Sequence, residues 1–262
     1  MKLDGARVLV TGAGSGIGRA TANHLFALGS NLVLADRDAV GLAETAERLS
    51  NVRTLTLDLT DRATVRALPQ EVGAVDVLVN NAGIAAEASF LEKGEETFDH
   101  VMDVNFRSVV DMCRAFLPGM LERGRPARIV NVSSLWGILA PPLLTAYVAS
   151  KFAVNGFSQS LRHELVDTNV GVTVVHPGGV ATNIARSALG PDMSDAEREA
   201  RVEKAMRLLR MDPAHAAGQI VNGIARDADR VIVGADAWQG VWLQKWMPVR
   251  YFHVLRRMGV VD

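Results

Sequence analysis

Arg7-Val8-Leu9-Val10-Thr11-Gly12-Ala13-Gly14-Ser15-Gly16-Ile17-Gly18 is a short apolar run that stops at a cluster of glycines, after which Ala20, Leu25, Phe26 and Leu28 recur at helical spacing. The pattern predicts strand, glycine turn, helix. Without side chains at Gly12, Gly16 and Gly18 the backbone can turn tightly and approach a pyrophosphate closely. The first amides of the helix then face its negative charge. The loop is not of the Walker type, because Arg19-Ala20 follows the last glycine where Lys and Ser or Thr would stand. Nor is it a strict Gly-x-Gly-x-x-Gly, since Ile17 stands three after Gly14 and Arg19 three after Gly16.

A second strand is expected at Asn31-Leu32-Val33-Leu34-Ala35, ending in Asp36. A carboxylate about twenty residues beyond the glycines can hold the adenosine ribose hydroxyls of NAD. It also repels the 2′-phosphate of NADP. Arg37 argues the other way, because a guanidinium there can pair with that phosphate. Ser15 occupies a position where a basic residue would help NADP, which leaves the balance with NAD and keeps NADP as the alternative.

Tyr147 and Lys151 stand four residues apart, downstream of Ser133 and Ser134. That spacing puts phenol and ammonium on one helix face, one turn apart. A phenol that trades a proton near neutral pH needs its pKa lowered from about 10, and a fixed cation beside it favours the phenolate. Lys151 is the candidate cation. Either serine hydroxyl can donate a hydrogen bond to a substrate oxygen. Taken alone, Tyr-x-x-x-Lys reads better as a half-buried aromatic next to a solvated lysine. The glycine loop upstream makes the chemical reading the better one.

With the glycine loop, Asp36, Ser134, Tyr147 and Lys151 in this order, the chain resembles the short-chain dehydrogenase/reductase family over nearly its whole length. The resemblance implies cofactor contacts from Gly12, Ser15, Gly16, Ile17, Gly18, Asp36 and Arg37. Asp58 and Leu59, in Leu57-Asp58-Leu59-Thr60, match the family's adenine-contacting segment after the third strand. Asn80-Asn81-Ala82-Gly83 resembles its fourth-strand motif, which adds Asn81, Ala82 and Gly83. Pro177-Gly178-Gly179-Val180-Ala181-Thr182 matches the segment that binds the nicotinamide carboxamide, which adds Pro177, Gly178, Val180 and Thr182. The family's spacing to the tyrosine selects Ser134 over Ser133. Asn105, in Val104-Asn105-Phe106, sits where the family carries a fourth catalytic residue that holds a water. By its own chemistry it is equally an interior amide satisfied by backbone.

The composition agrees. At 262 residues and 48% hydrophobic content, the chain can build one sizeable core. A net charge of -1 and a pI near 6.6 leave no electrostatic footprint for nucleic acid. Cys113 is the only cysteine, Met1-Lys2-Leu3-Asp4 runs directly into the first strand, and no apolar stretch reaches membrane-spanning length. A cytoplasmic, reducing location is expected. The six histidines show no metal-ligand spacing, and none of the residues around Ser134 forms a Gly-x-Ser-x-Gly elbow. No metal site and no serine hydrolase are therefore expected, and His176 is read as a satisfied structural histidine.

Apolar runs predict strands near 6–11, 31–35, 52–57, 75–79, 127–132, 170–175 and 230–233, with helices near 16–28, 39–49, 61–68, 96–122, 147–166 and 213–226. The fold class is α/β: a single-domain, Rossmann-type, doubly wound parallel sheet of about seven strands with helices on both faces. Residues 1–237 form that domain, including a substrate lid at about 183–210. Residues 238–262 are an aromatic and basic tail packed on the same domain or on a partner subunit.

Two regions fall outside the shared machinery. The loop after Ser134, with Leu135, Trp136, Ile138, Leu139, Pro141, Pro142, Leu143 and Leu144, suits a hydrophobic substrate, with Ser134, Trp136, Leu144 and Tyr147 as its contacts. In the tail, Trp238, Trp242 and Trp246 recur every four residues with Lys245, Arg250, Arg256 and Arg257 nearby, and Pro248 should break the helix. A subunit or core contact, a pocket wall and an interfacial membrane helix all fit this stripe. The expected activity is NAD(P)(H)-dependent interconversion of a secondary alcohol and a ketone by a homo-oligomer, dimer or tetramer, with membrane contact only through the tail. A non-catalytic dinucleotide sensor or scaffold, and an epimerase or dehydratase on the same fold, are the alternatives.

Overall fold

Side chains that alternate in direction along β1 (Arg7–Thr11) and are buried on both faces decide how the molecule is layered: Val8 and Val10 point into one apolar cluster and Leu9 into another on the opposite face of the sheet. The computed structural model describes residues 1–92, 94–184, 188, 199, 202, 203, 206, 207 and 209–259. After β1 come β2 (Asn31–Asp36), β3 (Arg53–Thr56), β4 (Val77–Asn80), β5 (Ala127–Val132), β6 (Val170–Pro177) and β7 (Arg230–Val233). They form one seven-stranded sheet in the order β3-β2-β1-β4-β5-β6-β7, and every neighbouring pair is parallel. This is the expected doubly wound sheet.

Helices cover both faces. On one side α1 (Gly16–Ala27), α2 (Ala39–Ala46) and α7 (Pro213–Ala225) bury Ala22, Leu25, Leu42, Ile220 and Ile224 against Val8, Val10, Leu34, Val79 and Val132. On the other, α3 (Arg62–Val72), α5 (Ser108–Glu122) and α6 (Thr145–Glu164) bury Val65, Leu68, Met112, Phe116, Val154 and Leu161 against Leu9, Leu78, Ile129 and Val172. Strands buried on both faces explain the near-continuous Val and Leu runs.

Three local features differ from the sequence reading, each for a visible reason. Helix α3 runs past residue 68 with Pro69 inside it, because Val72, one turn on from Leu68, is buried in the core and holds the last turn despite the lost amide donor. The single helix expected near 96–122 is α4 (Glu95–Met102), a five-residue π turn over Asp103–Arg107, and α5. The tail forms α8 (Ala235–Trp246) and α9 (Tyr251–Arg257), split at Pro248 as expected. Its buried face, however, is Ala237, Gly240 and Leu255, whereas Trp238, Trp242 and Trp246 are exposed. A core contact is therefore not what the stripe makes within this chain. Most of the lid expected at 183–210 lies outside the described residues.

Candidate active site

The winding of the sheet reverses between β1 and β4, and the crevice beyond the C-terminal ends of these strands is where an open α/β sheet takes its ligand. The glycine loop lines it. Gly12 and Gly16 have φ of +65° and +52°, values that favour glycine. A Cβ on Gly12 would meet the Ala82 Cα at 2.8 Å, and one on Gly18 would overlap the Gly12 carbonyl. The loop is tied to β4 by Thr11 Oγ1, which accepts from the Asn81 and Ala82 amides at 3.0 and 3.2 Å. The Asn81 side-chain amide donates back to the Thr11 and Gly12 carbonyls. Ser15 precedes α1 with its side chain making no capping bond, so the first helical amides face the crevice uncapped. Such a cradle fits a pyrophosphate.

Asp36, at the end of β2, accepts from the Gly14 amide at 2.8 Å and the Asp38 amide at 3.0 Å. Its carboxylate thus sets the glycine loop and still has acceptor sites for hydroxyl groups. Arg19 holds the other side of the loop through the Gly14 carbonyl and pairs with Glu44 at 2.8 Å. Asp58 accepts from the Thr60 amide, which holds its carboxyl below the usual range. The Thr60 hydroxyl and the Arg37 charge act in the same direction against burial. Arg37 therefore sits within electrostatic reach of Asp58, on the exposed rim. Leu59 is half-buried against the α3 and α5 core.

Ser134 leaves β5 in an extended conformation and starts a short 3-10 turn, Leu135–Gly137, its Oγ accepting from the Trp136 amide at 3.1 Å. The Ser133 hydroxyl instead donates to the Lys151 carbonyl at 2.8 Å, which leaves Ser134 as the serine facing the site. Tyr147 is buried in the first turns of α6. Burial pushes its phenol pKa up, and the Ser134 hydroxyl beside it pulls in the opposite direction. This departs from the expectation that Lys151 would set the phenol low. Lys151 is itself buried, its pKa pushed down to about 8 by desolvation, and its ammonium donates to the Val132 carbonyl at 3.0 Å. It lies 5.7 Å from the Tyr147 ring centroid.

The π turn carries Asn105, which is fully buried. Its Oδ1 accepts from the Ile84 amide at 2.8 Å, and its Nδ2 donates to the Ile84 carbonyl and the Ser150 hydroxyl at 2.9 and 3.0 Å. The side chain is thus satisfied by backbone and by α6, and it joins the segment after β4 to the helix that bears Tyr147. π turns of this kind are frequent at functional sites. A Cβ on Gly83 would lie 3.2 Å from Asn105 Oδ1 and 3.3 Å from Lys151 Nζ, so the three residues enclose one small space.

Beyond β6, Pro177 to Thr182 run along the mouth of the crevice. Thr182 approaches Gly16, since a Cβ there would meet its Cγ2 at 3.0 Å, and Val180 bridges to Met211. Two residues not singled out for this site hold the segment. Asp236, in the first turn of α8, accepts from the Gly179 amide at 2.6 Å and fills the space a Gly178 side chain would need. His176 donates from Nδ1 to the Ser134 carbonyl at 2.9 Å, and burial pushes its pKa down to about 4. No sequence motif marks Asp236, because the contact spans 57 positions and depends on β6 and β7 being neighbours. Trp136 and Leu144 are half-buried at the edge of the site. Leu135 and Leu139, expected to wall a substrate, are buried against Ala237 and Leu255 of the tail.

A family model described as short chain dehydrogenase matches residues 6–191. The chain belongs to the short-chain dehydrogenase/reductase family, a family of oxidoreductases. A Mycobacterium tuberculosis protein named "Putative oxidoreductase SadH" is 41% identical over 244 residues, spanning 89% of this chain and 88% of the relative. The "Dehydrogenase/reductase SDR family protein 7-like" of Anopheles gambiae is 33% identical over 97% of this chain and 83% of its own length. Among solved structures, a short-chain dehydrogenase/reductase from Burkholderia phymatum in complex with NAD superposes with a TM-score of 0.86 at 30% identity, covering 94% of this chain and 95% of that one.

Proposed function

We propose that the protein is an NAD(H)-dependent oxidoreductase that interconverts a hydrophobic secondary alcohol and its ketone, with Tyr147 exchanging the proton. The observation that carries this reading is the Ser134 hydroxyl beside the buried Tyr147 phenol, with Lys151 one turn further along α6. The NAD complex of the Burkholderia phymatum relative supports the choice of cofactor. Gly12, Ser15, Gly16, Ile17 and Gly18 would hold the pyrophosphate and Asp36 the adenosine ribose. Asp58 and Leu59 would meet the adenine. Asn81, Ala82, Gly83, Pro177, Gly178, Val180 and Thr182 would supply the remaining contacts.

A bound nicotinamide accepts or gives the hydride. The chain's own residues orient the substrate and move the proton. Ser134 donates a hydrogen bond to the substrate oxygen, and Tyr147 gives or takes its proton. Burial raises the phenol pKa and so favours its protonated, donor form, and because ketone reduction consumes a proton its equilibrium is favoured at lower pH. Oxidation gains as pH rises. The Lys151 ammonium would stabilise the phenolate when the proton leaves and would hold the nicotinamide ribose hydroxyls of bound NAD(H). Asn105 Oδ1 keeps one acceptor site after its bond to Ile84, as a water between it and Lys151 requires.

A dinucleotide sensor would need the glycine loop and Asp36 but no buried proton donor, so the Ser134 and Tyr147 pair favours turnover. The test is purified protein with NADH or NAD against panels of hydroxysteroids, acyl-chain alcohols and small ketones, read by the absorbance of reduced nicotinamide. Turnover of an apolar ketone or alcohol is expected. Cofactor binding without turnover of any member would favour the sensor.

A further inference from the structure

The outer face of α8 is an aromatic surface with its own cations. Trp238, Trp242 and Trp246 are 51%, 51% and 72% exposed. Each step of four residues advances roughly 40° around a helix, so the three indoles share one stripe. The Lys245 ammonium lies 5.1 and 5.9 Å from the rings of Trp242 and Trp246. Met247, Val249 and Met258 are exposed as well. Arg250, Arg256 and Arg257 are exposed on the segment and helix that follow, and no Asp or Glu occurs between Trp238 and Gly259.

The inner face explains why the stripe points outward. Ala237 and Gly240 pack on Leu135 and Leu139, and a Cβ on Gly240 would meet these leucines at 2.6 and 3.0 Å. Only small residues fit there. The Tyr251 hydroxyl accepts from the Ala140 amide at 3.0 Å, which fixes α9 to the same loop. The tail is thus a platform about one helix diameter thick, roughly 10 Å, between the loop that follows Ser134 and the surrounding medium. Phe90, Leu91 and Leu143 are also exposed, on loops that follow β4 and β5 at the edge of the sheet from which α8 starts, and the Ala88 amide bonds the Leu143 carbonyl at 2.9 Å.

From these observations we infer that α8 and α9 dock the protein on an anionic lipid surface. Indoles aligned on one face, interleaved with basic side chains, match the boundary between headgroups and acyl chains, where an indole keeps its N–H wet and its ring dry. Charge decides between this surface and a second copy of the chain. A two-fold contact would set the stripe against itself, bringing Lys245 and the three arginines of each copy together with no acid between Trp238 and Gly259 of either copy to offset them. Anionic headgroups supply that missing charge. On the reading that the substrate is apolar, docking brings the protein to the phase in which that substrate dissolves.

The experiment is flotation of the full chain with phosphatidylcholine vesicles, with and without phosphatidylserine, alongside light scattering and NADH titration. Binding should need phosphatidylserine, weaken with salt and blue-shift tryptophan emission. Arg256→Glu with Arg257→Glu should weaken it by about 30-fold or more, taking the usual contribution of a basic residue near such a surface. Trp242→Ser with Trp246→Ser should abolish it, with NADH affinity and thermal midpoint unchanged as the check on folding. Absence of binding to phosphatidylserine vesicles overturns the inference. So does a drop in molar mass in the tryptophan variant, which assigns the stripe to a second copy, or a change confined to KM for a soluble ketone, which makes it a pocket wall.

Discussion

His176 Nδ1 donates a 2.9 Å hydrogen bond to the Ser134 carbonyl, which ties the end of β6 to the residue proposed to hold the substrate oxygen. Because a carbonyl only accepts, Nδ1 carries the proton, and the depressed pKa, about 4, keeps the ring neutral. His176→Leu removes this tie without touching cofactor or substrate. Turnover should fall by about 10- to 100-fold through misplacement of Ser134, with NADH affinity nearly unchanged. Equal turnover in both proteins would mean that β5 alone positions Ser134.

The same histidine makes stability depend on pH. Its folded pKa, about 4, lies below the ordinary 6.5, so the unfolded chain takes up a proton first as pH falls. The stabilisation is fully present above 6.5 and is lost as pH drops toward 4. Urea denaturation at several pH values should show the native protein losing stability across this window. His176→Leu should flatten the slope, and an unchanged slope would place the titration elsewhere.

Burial of Lys151 sets a limit on the alkaline side. Its pKa, about 8, means that the cation is lost as pH rises through that value, while the Tyr147 phenol is held up. The kcat/KM for ketone reduction should therefore have a descending limb with an apparent pKa near 8, and Lys151→Met should remove that limb along with most of the activity. A single limb near or above 10 would show that only the phenol titrates.

Asp36 is expected to set cofactor choice. It bonds the Gly14 amide, while Arg37 is exposed, its charge within electrostatic reach of Asp58. Fluorescence titration should show NADH binding more tightly than NADPH. Asp36→Ala should shift the ratio toward NADPH by about fivefold or more, taking about 1 kcal/mol for two charges about 4 Å apart in water. Tighter NADPH binding by the unaltered protein would make Arg37 dominant.

Strand positions and layering were legible because a sheet buried on both faces writes apolar runs into its central strands, and because the turn from β1 to α1 needs glycine at Gly12, Gly16 and Gly18. The glycine loop, Ser134, Tyr147 and Lys151 converge on one crevice for the same reason: each sits at the C-terminal end of a parallel strand or at the start of the next helix. What escaped was set by tertiary contact. A π turn adds one residue to a helical turn and leaves no periodic mark, so the amide of Asn105 looked like part of one long helix. Asp236 acts through a backbone amide that only the β6-β7 pairing brings close, and His176, read as a satisfied structural histidine, bonds the Ser134 carbonyl through Nδ1 while its buried Nε2 has no partner among the described residues. In α8 the periodic tryptophans are the exposed face, and the buried face is the small-residue one, Ala237 and Gly240, which carries no apolar periodicity.

Tyr147→Phe, measured by single-turnover kinetics with a ketone found in the substrate screen, probes the proton-transfer role most directly. The substitution keeps the ring that packs in α6 and removes only the hydroxyl beside Ser134. The rate of NADH oxidation should fall by about 10²- to 10⁴-fold, the usual worth of a positioned proton donor, with NADH affinity within a few fold of the original. A variant that retains the original rate would contradict Tyr147 as the proton donor.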